Sequence, residues 1–177
     1  MKSEAWIKLL WAHVSKDETR YRLSGVFADE DGSLVATDGH RMLVVNSGNV
    51  GLSDFATLHK GYIFNKAGLR IEGKYPEWRK LLPNIGNGYA KIEWESVPFI
   101  LKGIKNPRRG KVPGVFIDAK GITSYKTEGS LVSVNAAYLS VYFDMLESGA
   151  ELWVKNNTSP IVIKDEFAMA VLMPMRM

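Results

Sequence analysis

An aspartate and a histidine two residues apart, in Thr37-Asp38-Gly39-His40-Arg41, are the residues whose types and spacing best suit a base and its orienting partner. No nucleophile stands near them, and aspartate in an Asp-Gly turn most often bonds its own backbone, so the turn reading outweighs catalysis. No Walker loop, glycine-rich dinucleotide motif or paired-carboxylate motif occurs elsewhere. The chain has no cysteine, which excludes disulfides and thiolate metal sites, and its three histidines are dispersed, which argues against zinc. We therefore expect no catalytic residues, metal or cofactor.

Two further segments invite a functional reading. From Ser96 to Val115 there are Lys102, Lys105, Arg108, Arg109 and Lys111 and no acidic residue, a pattern that suits phosphate contact and equally suits a solvated face. The end of the chain, Ala170-Val171-Leu172-Met173-Pro174-Met175-Arg176-Met177, is apolar and rich in methionine. It reads either as a strand finishing the fold or as the lining of a pliable apolar groove.

The elements that position these residues follow from periodicity. Trp6, Ile7, Leu10, Trp11 and Val14 recur at helical spacing from Ser3 to about Lys16, with Ser3 as the expected cap. Strands are expected at Tyr21–Ala28 and Leu34–Ala36, joined by the turn Asp29-Glu30-Asp31-Gly32, and at Arg41–Asn46. Residues 48–73 read as loops with short strands at Tyr62–Asn65 and Leu69–Glu72 and no long helix. Asn84–Gly88 is polar and glycine-containing and marks a boundary, giving units 1–83 and 84–177. Beyond it we expect a strand at Tyr89–Trp94, a helix near Val97–Ile104, a hairpin of Val115–Asp118 with Ile122–Lys126, and a helix capped by Asn135. Strands at Glu151–Asn156, Pro160–Lys164 and Met169–Met173 complete the pattern. Helix followed by strands recurs, which gives an α+β class built from repeated modules with antiparallel sheets.

At 177 residues and 46% hydrophobic the chain can bury one good core or two small ones. Its net charge of +4 and pI near 9.2 suit a polyanion partner without requiring one. No apolar run approaches the ~18 residues of a membrane span, and nothing calls for an oxidising compartment, so a cytoplasmic protein with no membrane contact is expected.

Three separated motifs together resemble the bacterial β sliding clamp, the processivity subunit of DNA polymerase III. Arg20-Tyr21-Arg22-Leu23-Ser24-Gly25 with Val35-Ala36-Thr37-Asp38-Gly39-His40-Arg41-Met42 resembles the start of the clamp's middle domain. Tyr75-Pro76-Glu77-Trp78-Arg79-Lys80-Leu81-Leu82-Pro83 resembles the segment joining the middle domain to the last. Asn135-Ala136-Ala137-Tyr138, Ser159-Pro160-Ile161-Val162-Ile163 and the terminal Met-Pro-Met-Arg resemble the last domain.

The resemblance implies a DNA-clamp-like fold, truncated relative to the three-domain clamp: residues 1–83 correspond to a shortened middle domain and 84–177 to the C-terminal domain. It also implies a groove that docks short peptides of DNA polymerases and other replication and repair proteins. Carried over residue by residue, that groove takes Leu23, Thr37, Gly39, His40, Arg41, Met42, Pro76, Lys80 and Leu81 from the first unit. From the second it takes Asn135, Tyr138, Pro160, Val171, Met173, Pro174, Met175 and Arg176. Lys80 stands where the best-known bacterial clamp has arginine. Leu23, Leu81, Val171 and Met173 are the expected acceptors of apolar anchors, with backbone groups near His40 and Met175 setting the peptide's direction. Arg20, Tyr21 and Arg22 are candidates for contact with double-stranded DNA, together with the basic residues 102–111. The clamp's first domain and one helix between the His40 and Pro76 motifs are expected to be missing. A shortened processivity factor from a phage or mobile element, assembling as a homo-oligomeric ring, and a clamp mimic that binds such peptides without encircling DNA both fit this pattern.

Overall fold

A computed structural model describes residues 2–92, 114–118, 121–123, 132–147 and 149–175. The chain forms two compact units, Met1–Leu82 with Glu166–Ala170, and Pro83–Asp165 with Val171–Met177. Both are antiparallel sheets with a few short helices, the expected α+β class.

The first unit begins with α1 (Ser3–Ala12). Ser3 does not cap it, as periodicity suggested; Lys2 takes the cap position and the Ser3 hydroxyl donates to the Val50 carbonyl at 2.7 Å. The chain then makes a 3-10 helix, Glu18–Leu23, where a strand was expected from Tyr21. Local side chains decide this: Asp17 accepts from the Thr19 amide and hydroxyl, and Ser24 Oγ donates to the Tyr21 carbonyl at 2.6 Å. Strand β1 therefore starts only at Val26 (Val26–Ala28), followed by β2 (Ser33–Thr37) and β3 (Arg41–Asn46).

A short helix, α2 (Ser53–Leu58), occupies the stretch read as loop, and β4 (Ile63–Phe64) and β5 (Arg70–Ile71) are shorter than expected. The strand order is β5-β4-β1-β2-β3, continued by the first residues of β12 (Ala168–Leu172). Ala168–Ala170 thus belongs with the first unit, far from it in sequence. Hydrogen bonding from the Asn46 amide to the Phe167 carbonyl and packing of Phe167 against Trp6 hold that segment there.

Registry assigns the two faces of this sheet. Phe27 lies opposite Val35, and Val26 opposite Phe64. Trp11 of α1 and Phe55 of α2 both meet Phe64 edge-on, at 6.0 and 5.0 Å, so the helices cover the face of Val26, Ala28, Leu34 and Ala36. Tyr75 covers the other face, stacking on Phe27 at 4.9 Å, and burial pushes its hydroxyl pKa up. All of β2 beyond Ser33 is buried, consistent with cover on both sides.

Two polar devices secure this arrangement. Asp29, buried in the β1–β2 turn, accepts from Trp78 Nε1 and from Arg79, both at 2.7 Å, while Asp31 pairs with the other arm of Arg79 at 2.6 Å. The turn is thereby tied to the 3-10 helix Trp78–Leu81. At the end of α1, buried His13 donates from Nδ1 to the Leu9 carbonyl at 2.7 Å. Burial, opposed chiefly by the Leu9 hydrogen bond and less by Asp38 and aided by the Arg41 charge, lowers its pKa to about 4.

The second unit contains β6 (Ala90–Ile92), β10 (Glu151–Val154) and β11 (Ile161–Lys164), ordered β11-β10-β6 with Val171 and Leu172 beside β11. Ile92 and Ile163 flank Leu152 in the ladder, and all three are buried. A separate three-stranded sheet has the order β8-β7-β9, with β7 at Gly114–Asp118, β8 at Gly121–Thr123 and β9 at Val132–Asn135. Asn135 caps the next helix as expected, its Oδ1 accepting from the Ala137 and Tyr138 amides. That helix is two short ones, α3 (Ala136–Ser140) and α4 (Phe143–Glu147), separated by a turn at buried Tyr142 whose amide bonds to the Leu139 carbonyl. The helix expected near Val97–Ile104 and the end of the hairpin strand at Ser124–Lys126 lie outside the described residues.

Two outcomes follow. Asp29→Ala orphans the buried Trp78 N–H and should lower stability by about 2–4 kcal/mol, read by urea denaturation, with Arg79→Ala costing clearly less; equal losses would contradict the clasp. His13 takes its proton near pH 6.5 when unfolded and only near 4 when folded, so the unfolded chain binds more protons between those values. Stability should be full above pH 6.5 and fall by roughly 3 kcal/mol on acidification to pH 4. The stability gap between wild type and His13→Leu should shrink over that window, and a gap independent of pH would contradict a neutral buried histidine.

Candidate functional site

The turn between β2 and β3 carries four of the residues named from sequence: Thr37, Gly39, His40 and Arg41. Its form is set by side chains bonding to their own backbone. Thr37 Oγ1 donates to the Arg41 carbonyl at 2.7 Å and accepts from the Gly39 amide at 3.1 Å. Asp38 Oδ1 accepts from the His40 and Arg41 amides at 2.9 and 3.1 Å, and its Oδ2 pairs with Arg41 Nε at 3.0 Å. Arg41 Nη2 donates to the Ala12 carbonyl at the end of α1. Gly39 sits at φ +89°, in the left-handed region that favours glycine; a Cβ there would also meet Arg20 Nη1 at 2.6 Å, a contact the exposed arginine can relieve by moving.

This geometry commits Asp38 to holding the turn. The Asp38 carboxylate is committed to two amides and a guanidinium, and it meets His40 through the backbone amide. His40 is exposed on this turn. Among the described residues no group of three His, Asp or Glu is placed to hold a metal ion.

The other first-unit candidates lie close along the chain to this turn or to the Asp29 clasp. Leu23 is half-buried at the end of its 3-10 helix, where its carbonyl accepts from the Ser15 amide at 2.7 Å. Met42, the second residue of β3, is only 4% exposed and so backs the turn from inside. Pro76, Lys80 and Leu81 stand on the segment that Trp78 and Arg79 anchor; Lys80 pairs with Glu77, and Leu81 is 57% exposed. An open cavity of about 770 Å³ in this unit includes Pro76 and Lys80 with Phe27, Tyr75 and Trp78. Phe27 is a lining residue that sequence reasoning missed, and the alternation of β1, which turns it away from the helices, was the signal for it.

In the second unit Asn135 is occupied as a helix cap and Tyr138, one turn on, is half-buried. The Met175 amide donates to the Ser133 carbonyl at 2.7 Å, which lays the end of the chain beside β9, two residues from Asn135. Met173 and Met175 are 46% and 37% exposed, whereas Val171 is only 6% exposed and belongs to the strand core. Half-buried Pro160 accepts the Tyr89 hydroxyl at 3.0 Å. Arg176 lies outside the described residues.

Of the residues named for DNA, Arg20, Tyr21 and Arg22 are exposed on the 3-10 helix. Arg22 donates to the Tyr21 hydroxyl at 3.1 Å, and Arg20 pairs with Asp17 at 3.5 Å and donates to the Asp38 carbonyl at 3.3 Å. Lys102, Lys105, Arg108, Arg109 and Lys111 lie outside the described residues. No helix among the described residues is long and apolar enough to cross a membrane.

No protein-family model matches the sequence, and no curated protein matches it. Solved structures do. The Bacillus subtilis DNA polymerase sliding clamp matches over 99% of this chain and 62% of its own, with a TM-score of 0.69 and 17% identity. The C. crescentus beta sliding clamp matches over 100% and 64%, with a TM-score of 0.66 and 20% identity. The Helicobacter pylori beta clamp, solved with a DNA ligase peptide bound, matches over 97% and 62%, with a TM-score of 0.63 and 16% identity. The chain thus has the fold of the bacterial DNA polymerase III beta sliding clamp, over a length that spans about 64% of the C. crescentus clamp it matches.

Proposed function

We propose that the chain is a clamp-like binding protein, and not an enzyme, that docks short apolar-anchored peptides of DNA polymerases and other replication and repair proteins. The observation that carries this is the fold match along almost the whole chain to solved clamps, one of them bound to a DNA ligase peptide. Site chemistry supports it. Leu81, Met173 and Met175 are large apolar side chains held at the surface of their units, and the hydrogen-bonded turn at Thr37–Arg41 exposes His40 in the first. Exposed anchors of this kind are costly to leave in water and become favourable when a partner covers them. Methionine adapts its shape to different anchors, which suits a surface that must accept several peptides.

The same reading assigns Arg20, Tyr21 and Arg22 to contact with duplex DNA and self-association of the chain to a processivity ring. Cations on an exposed helix neutralise phosphates without reading sequence, so this contact should weaken steeply with salt, whereas apolar anchoring should not.

The test is peptide binding by fluorescence polarisation with a labelled polymerase-tail peptide. Leu81→Ala with Met173→Ala should weaken binding at least tenfold, since a few buried anchors dominate small interfaces, while the unfolding midpoint stays close to wild type because both side chains are exposed. Affinity should change little between low and high salt. Unchanged affinity in the double variant would contradict the proposed anchors, and no binding by the wild type would contradict the docking function.

A further inference from the structure

We infer that Asp38 is the positioning residue of the docking turn: it shapes the backbone that presents Gly39 and His40, while Arg41 acts as its tie to α1. The inference rests on the docking function proposed above and adds to it a residue that the peptide contacts themselves do not include. Asp38 Oδ1 gathers two consecutive amides, those of His40 and Arg41, which leaves the peptide units on either side of His40 in one orientation. The second oxygen engages Arg41, whose guanidinium reaches on to the Ala12 carbonyl. Asp38 and Arg41 keep 16% and 11% of their side-chain surface in water, so this is a partly buried, charge-assisted network and not a surface ion pair. Arg41 Nε and Nη2 are therefore engaged inside the unit. Its place in the docking motif follows from holding the turn against the helix, and contact with the peptide falls to the residues the turn carries.

The two carboxylate oxygens have separate jobs, which makes the inference testable. Asparagine keeps an oxygen for the two amides but sets an amide donor against Arg41; alanine removes both interactions. Asp38→Asn should therefore lose stability yet bind the labelled peptide within about threefold of wild type, whereas Asp38→Ala should lose stability and bind about tenfold more weakly or worse. A purely structural role would make affinity follow stability, with Asn as poor as Ala, and that result would overturn the inference. So would Asp38→Ala binding as wild type does.

Native-state hydrogen exchange at the His40 and Arg41 amides supplies a readout that needs no peptide. Protection in wild type and Asp38→Asn with rapid exchange in Asp38→Ala is the expected pattern, and absence of protection in the wild type would overturn the inference. Failure of wild type to bind peptide while this exchange pattern holds would count against the docking function alone.

Discussion

One buried carboxylate does much to hold the first unit together. Asp29 sits in a tight turn at the edge of a three-strand meander and receives the indole N–H of Trp78 and one arm of Arg79. Without it, the segment Tyr75–Leu81 would keep the stacking of Tyr75 on Phe27 and the exposed Arg79–Asp31 pair but lose the buried partner of Trp78. Trp78 cannot be buried with its N–H unpaired, because an orphaned donor costs more than the bond itself contributes. The carboxylate is in turn tolerable inside only because a guanidinium and two N–H groups meet it. The segment placed this way carries Pro76, Lys80 and Leu81.

The same economy of means recurs at the other turns. These strands are short, and their connections are stabilised by aspartate, asparagine, serine and threonine bonding to nearby amides. Such turns are rigid without being buried, so they can hold exposed residues in a fixed array. The loop Thr37–Arg41 is one such turn, and Ser133 holds Met175 by a backbone bond in the second unit.

Much of this was legible in the residues themselves. Arg41–Asn46 is a short apolar run, Met42 to Val45, that follows an Asp-Gly turn, so β3 could be read in full; Asn135 announced its helix. The departures share a cause, which is competition from local or distant partners that periodicity does not register. Tyr21–Leu23 has strand-forming residues, but Asp17 and Ser24 bond the backbone into a 3-10 helix. Ser3 had the right type for a cap, yet Val50, far along the chain, takes its hydroxyl. Glu166–Ala170 joins the first unit through Asn46 and Trp6, a pairing that no local pattern encodes. Among the residues named from the motifs, Leu81, Met173 and Met175 are at the surface, whereas Met42 and Val171 are buried. Burial is a property of packing, and a motif match does not carry it.

The most direct test of a peptide-docking clamp fold is to titrate isotope-labelled protein with an unlabelled polymerase-tail peptide and map the amide resonances that move. The expected result is saturable shifts at His40, Leu81, Tyr138 and Met175, with the Ile92, Leu152 and Ile163 ladder still. Shifts confined to other surfaces, or none at peptide concentrations that saturate a solved clamp, would contradict it.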